Sequence, residues 1–87
     1  MSTEDRPVVW TRPGCPKCVQ TKKAFVRQGI EPKEVLLDDE QRAKFYEQGL
    51  RTLPVVEWRG KRWEGFQLDL IRATATAAVA EASAPAA

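Results

Sequence analysis

Apolar positions along the chain fall into short runs and helix-spaced sets that alternate. Val8-Val9-Trp10 is a brief apolar run after Pro7 and predicts a strand. Thr11-Arg12-Pro13-Gly14 is a turn cluster. From Cys15 to Gln28 the spacing is helical: Thr21, Phe25 and Val26 share a face with Cys18, and Thr21 is small enough to sit at its edge. Gly29 supplies a helix stop, Ile30 can pack back on the helix end, and Pro32 blocks continuation. Val35-Leu36-Leu37 predicts a second strand, apolar on both sides of the pleat as in a strand buried on both faces.

Asp38 or Asp39 can cap the next helix, and Glu40 suits its positive end. That helix runs to about Gln48, burying Ala43 and either Tyr46 or Phe45, and Gly49 ends it. Val55-Val56-Glu57-Trp58 and Lys61-Arg62-Trp63-Glu64 form a hairpin through Arg59-Gly60. Gly65 breaks the pattern. Leu68, Leu70, Ile71 and Val79 then mark a last helix starting near Gln67.

The order is β-α-β-α-β-β-α. Two strands joined through a helix should be parallel with a right-handed crossover, and a hairpin must be antiparallel. The expected fold is α/β, a four-stranded mixed sheet flanked by three helices.

Length and charge narrow the picture. At 87 residues the chain is a single domain, with 1–6 and about 81–87 expected as flexible tails. The stretch from residue 73 onward holds nine alanines, which favour continuing the last helix before it frays. Fourteen Lys and Arg against twelve Asp and Glu leave +2, too balanced to argue for nucleic acid or an anionic membrane. The N-terminus has no apolar stretch behind a basic start, and no run approaches the ~18 apolar residues of a membrane span. A cytoplasmic monomer is the expectation.

The chain has no histidine, which excludes Ser-His and Cys-His nucleophile pairs and mixed Cys/His zinc sites. The only cysteines are Cys15 and Cys18, in Cys15-Pro16-Lys17-Cys18 between a predicted strand and helix. Cys15 falls at the helix N-terminus, where free backbone N–H groups and the positive dipole end favour an anion. Pro16 fits the first helical position, and Cys18 lies within one turn of Cys15. Lys17 and Arg12 add positive charge, so a reactive thiolate at Cys15 is expected.

Three other readings of the pair stand beside a redox centre. As a structural staple, so short a ring stabilises little, roughly 2 kcal/mol in the chain-entropy model. Zinc or an iron–sulfur cluster shared between two chains is another, and a cluster-carrying or redox-sensing module is the third; no metal site is expected within one chain. Thr52-Leu53-Pro54-Val55-Val56 is a second clue, because X-Pro bonds are the usual site of cis peptides. A cis Leu53-Pro54 bond would turn the Leu53 N–H and C=O toward an extended partner strand beside the cysteines.

Trp10 to Cys18 and Leu53-Pro54-Val55-Val56 together resemble the active-site entry and cis-proline loop of the glutaredoxin branch of the thioredoxin fold. Trp63-Glu64-Gly65-Phe66-Gln67-Leu68-Asp69 is similar to the Trp-Ser-Gly-Phe-Arg-Pro-Asp signature of NrdH-type redoxins, with Glu64, Gln67 and Leu68 as departures. The resemblance implies a thiol–disulfide oxidoreductase that binds no cofactor of its own. It implies electrons from NADPH through thioredoxin reductase, passed to class Ib ribonucleotide reductase or another disulfide-containing protein. The alternative is a glutathione-dependent glutaredoxin, which typically carries a Gly-Gly and an acidic pair where this chain has Gly65-Phe66 and Asp69.

On this reading Cys15 attacks and Cys18 resolves. Arg12, Pro16, Lys17, Leu53, Pro54, Trp63, Gly65, Phe66 and Asp69 tune the site or meet a partner. Lys22, Lys23 and Arg27 read as a solvated helix face, and Trp10 and Trp58 as packing.

Overall fold

The computed structural model describes residues 6–83, and side chains as far as residue 78. The side chain of Val79 and the outer parts of the expected tails, 1–5 and 84–87, lie outside the described residues. The elements are β1 (Val8–Thr11), α1 (Pro16–Arg27), β2 (Lys33–Leu36), α2 (Asp39–Glu47), β3 (Val55–Trp58), β4 (Lys61–Glu64) and α3 (Leu68–Ser83). Their order matches the one expected from the apolar pattern.

The sheet runs β2-β1-β3-β4, with β1 parallel to β2 and the other two pairings antiparallel. Register sorts the side chains into two layers, because alternate strand residues point to opposite faces. Val9, Val56 and Trp63 form one cross-strand row. They pack with Ala24 and Phe25 of α1 and with Ile71, Ala75 and Ala78 of α3. Trp10, Val55 and Glu64 form the adjacent row, one residue out of phase. Val55 packs with Leu37 and Phe45 of α2, and Trp10, Leu50 and Leu53 close over them. The Trp10 ring meets Phe45 edge-on at 5.4 Å, and its Nε1 donates to Glu57 Oε1 at 2.7 Å.

Both α1 and α2 end in the same way. Gly29 N–H bonds to Val26 O and Ile30 N–H to Phe25 O. Gly49 N–H bonds to Tyr46 O and Leu50 N–H to Phe45 O. This double bond pattern satisfies the last carbonyls and returns an apolar residue to the core. Asp38 caps α2 by accepting from Gln41 N–H at 2.7 Å.

Three expectations are corrected. The second strand spans Lys33–Leu36 and lies at the sheet edge, so it is not buried on both faces; Leu36 is 66% exposed, and the buried apolar residue is Leu37, just past its end. On α1, Val26 is 62% exposed, while Ala24 and the fully buried Thr21 belong to the inner face. On α2 only Phe45 is buried; Ala43 and Tyr46 face outward.

Candidate active site

The site forms where β1 hands over to α1. Cys15 is the N-cap of α1, with extended backbone (φ −101°, ψ 103°), and Pro16 occupies the first helical position. Cys15 Sγ accepts the Cys18 N–H at 3.2 Å, while Cys15 O accepts the Val19 N–H, also at 3.2 Å. Pro16 has no N–H, so the Cys18 amide is one of the few first-turn donors a ligand or side chain can use. The cap sulfur therefore sits where an anion is stabilised by an N–H group and by the helix dipole, and the first turn of α1 contains no acidic residue.

Cys15 and Cys18 are joined as a disulfide with Cα atoms 5.3 Å apart, a separation ordinary for a bridge. Their environments differ. Cys18 points into the protein and is 2% exposed, whereas Cys15 is half-buried at the rim. Below them Thr21 Oγ1 donates to Lys17 O at 2.8 Å, tying the first turn of α1 to the second.

Two cavities flank the disulfide. A cleft of about 520 Å³ opens on the Cys15 side. Leu37, Phe45, Leu53 and Val55 give it apolar walls, and Lys17, Arg42 and Arg51 bring cations; no carboxylate lines it. The Arg51 guanidinium lies 4.5 Å from the centre of the Tyr46 ring, which also borders the cleft. The second cavity, about 300 Å³, reaches both cysteines from the β2 edge and is bordered by Arg12, Val19, Lys22 and Leu36. A larger concavity of about 810 Å³ lies at the hairpin end of the sheet among Arg6, Glu57, Arg59 and Lys61, and touches neither cysteine.

The loop before β3 forms one wall of the cleft. Its Leu53-Pro54 bond is cis. Pro54 O accepts from Gly65 N–H at 2.8 Å. Glu64 Oε2 accepts from Arg51 N–H at 2.7 Å and Thr52 N–H at 3.4 Å.

The structure thus brings Cys15, Pro16, Lys17 and Leu53 to one cleft, with Pro54 and Gly65 bonded behind it. Arg12 borders the smaller cavity and pairs with Asp39 at 3.8 Å, which offsets its charge near the sulfurs. Lys22 of the supposed solvated face pairs with Glu34 on β2. Trp63 is buried, its ring 6.5 Å from that of Phe25, and borders neither cavity. Phe66 is 38% exposed and Asp69 is exposed in the first turn of α3; neither borders the two cavities. Arg42, Tyr46, Arg51 and Glu64 were not anticipated as site residues. Arg42 and Tyr46 carried a legible signal, standing one helical turn apart on α2.

A Cys-x-x-Cys pair at a helix N-terminus, beside a cis-proline loop on this β2-β1-β3-β4 sheet, defines a thiol–disulfide oxidoreductase of the thioredoxin fold. The glutaredoxin family model matches residues 8–63. The glutaredoxin-like protein NrdH of Escherichia coli is 34% identical over 68 residues, covering 76% of this chain and 84% of that protein. The solved structure of NrdH-redoxin from Escherichia coli superposes with a TM-score of 0.72 at 33% identity, covering 78% of this chain and 92% of that one. A wheat glutaredoxin structure gives 0.69 at 32% identity, covering 90% and 81%. The chain belongs to the glutaredoxin family, as an NrdH-like thiol–disulfide redox carrier.

No helix among the described residues is long and apolar enough to cross a membrane.

Proposed function

We propose that the chain carries electrons to protein disulfides, with Cys15 attacking and Cys18 resolving. The Cys15 thiolate attacks one sulfur of the target disulfide, forming a mixed disulfide and expelling the other target sulfur as a thiolate. Cys18, deprotonated in turn, attacks Cys15 Sγ and expels the second target thiolate. Two electrons pass to the target, and the chain is left as the Cys15–Cys18 disulfide. The half-buried Cys15 on a helix cap and the buried Cys18 behind it carry this assignment. Lys17 supplies charge beside Cys15, and the Leu53 backbone offers an edge to the target strand. Arg12, Phe66 and Asp69 are proposed as outer contacts of the protein partner, and Trp63 as their support.

The oxidised pair is re-reduced by thioredoxin reductase with NADPH, and class Ib ribonucleotide reductase is the proposed target. Similarity to NrdH supports this pathway, since NrdH-redoxin is described as having a thioredoxin-like activity profile. The test is NADPH consumption with insulin as the disulfide substrate. Thioredoxin reductase should sustain turnover, while glutathione with glutathione reductase should give little. The reverse pattern overturns the proposed reductase and leaves the glutathione-dependent reading. One observation favours that second reading: Lys17, Arg42 and Arg51 around the Cys15 cleft suit a small anionic thiol.

A further inference from the structure

Glu64 stands where the NrdH signature has serine, and it does not point idly outward. Its row partners across the sheet are Val55 and Trp10, so its side chain emerges on the α2 face of β4, toward the loop that precedes β3. There one carboxylate oxygen accepts from two successive amides, Arg51 N–H at 2.7 Å and Thr52 N–H at 3.4 Å. Gln67, the second departure from the signature, donates from Nε2 to Glu64 O at 2.9 Å. The next residue adds the Gly65 N–H bond to Pro54 O at 2.8 Å. Residues 64–67 therefore hold the 51–54 loop at both ends.

That loop carries two parts of the Cys15 cleft, the Arg51 guanidinium over Tyr46 and the Leu53 wall. Arg51 and Thr52 lie between the end of α2 and the start of β3, outside any strand pairing. A carboxylate taking two adjacent N–H groups is a strong acceptor, because charged hydrogen bonds exceed neutral ones. A serine hydroxyl at position 64 is two atoms shorter and cannot span the same gap with the backbone unmoved.

We propose that Glu64 is a positioning residue that clamps the Arg51–Leu53 loop, so that protein disulfides meet a preformed edge beside Cys15. The proposal rests on the reading of Leu53 as the edge that receives the target strand.

The test compares the unaltered chain with Glu64→Ala, Glu64→Gln and Glu64→Ser. Amide hydrogen exchange at Arg51 and Thr52 reads the clamp directly. Insulin reduction reads its consequence, and alkylation of Cys15 by iodoacetamide reads the sulfur alone. In Glu64→Ala and Glu64→Ser the two amides should exchange faster, and KM for insulin should rise roughly five- to tenfold, the size of about one lost hydrogen bond of ordinary strength. The kcat and the alkylation rate should hold. Glu64→Gln keeps an acceptor at the same reach and should restore most of the KM. Unchanged exchange at both amides would overturn the clamp. Faster exchange with an unmoved KM would overturn its role and count against the Leu53 edge, whereas failure of the Cys15–Cys18 assignment would appear in the alkylation.

Discussion

Replacing Cys15 separates its two contributions, capping α1 and supplying a nucleophile. Cys15→Ser and Cys15→Ala both remove the disulfide and the reactive sulfur. They differ in the cap: serine retains an oxygen that can accept the Cys18 N–H, now bound by Cys15 Sγ at 3.2 Å, while alanine retains nothing. With no donor on Pro16, the Cys18 amide is the capped group of the first turn. Loss of a side-chain cap costs about 1 kcal/mol, within a range of roughly 0.5–2. For a domain of this size, about 1 kcal/mol corresponds to roughly 4–8 °C in Tm. Cys15→Ala should therefore melt roughly 4–8 °C below Cys15→Ser when both are scanned under the same reducing conditions. Equal melting temperatures, or a more stable alanine variant, would refute the claim that the Cys18 amide binds the side chain at position 15. Without that amide, a thiolate at position 15 would lose its closest hydrogen-bond donor.

Three further outcomes follow from the same geometry. In the reduced protein, iodoacetamide should modify Cys15 before Cys18, checked by peptide mass spectrometry; earlier modification of Cys18 would contradict the burial difference. Phe25→Ala removes a fully buried ring between α1, α3 and Trp63 and should cost about 3–5 kcal/mol in urea unfolding, against less than about 1.5 if the site were loosely packed. Gly65→Ala places a Cβ at φ +76° and 3.5 Å from Thr52 Cγ2; the space is adequate, so the backbone sets the cost, about 1–2 kcal/mol, and a neutral result in thermal unfolding would refute it.

Much of the fold was legible because short-range rules govern it. The Gly29 and Gly49 stops, the Asp38 cap and the Arg59-Gly60 hairpin each depend on residues a few positions apart. The misreadings share a different cause. Val35-Leu36-Leu37 is apolar enough for a central strand, but its place at the edge follows from β3 pairing with the other side of β1. The spacing from Cys18 suggests an inward Val26, yet at about 100° per residue it lies roughly 80° round from Cys18, on the far side from Thr21 and Ala24.

At the site, Cys15, Cys18 and the proline loop stood out by residue type and spacing. Arg51 and Glu64 did not, because their roles arise from contacts between β4 and a loop 12–13 residues earlier. From its position in the sequence Arg12 supplies charge for the thiolate, whereas its pairing with Asp39 on α2 depends on the folded chain.

The proposed mechanism depends on a division of labour between the two sulfurs, which a trapping experiment can separate. Reduced Cys15→Ser and Cys18→Ser proteins are each mixed with oxidised insulin, quenched with acid and weighed intact without reductant. Cys18→Ser should accumulate a covalent adduct through Cys15, and Cys15→Ser should form little or none. An adduct that accumulates in Cys15→Ser and is missing in Cys18→Ser would contradict it.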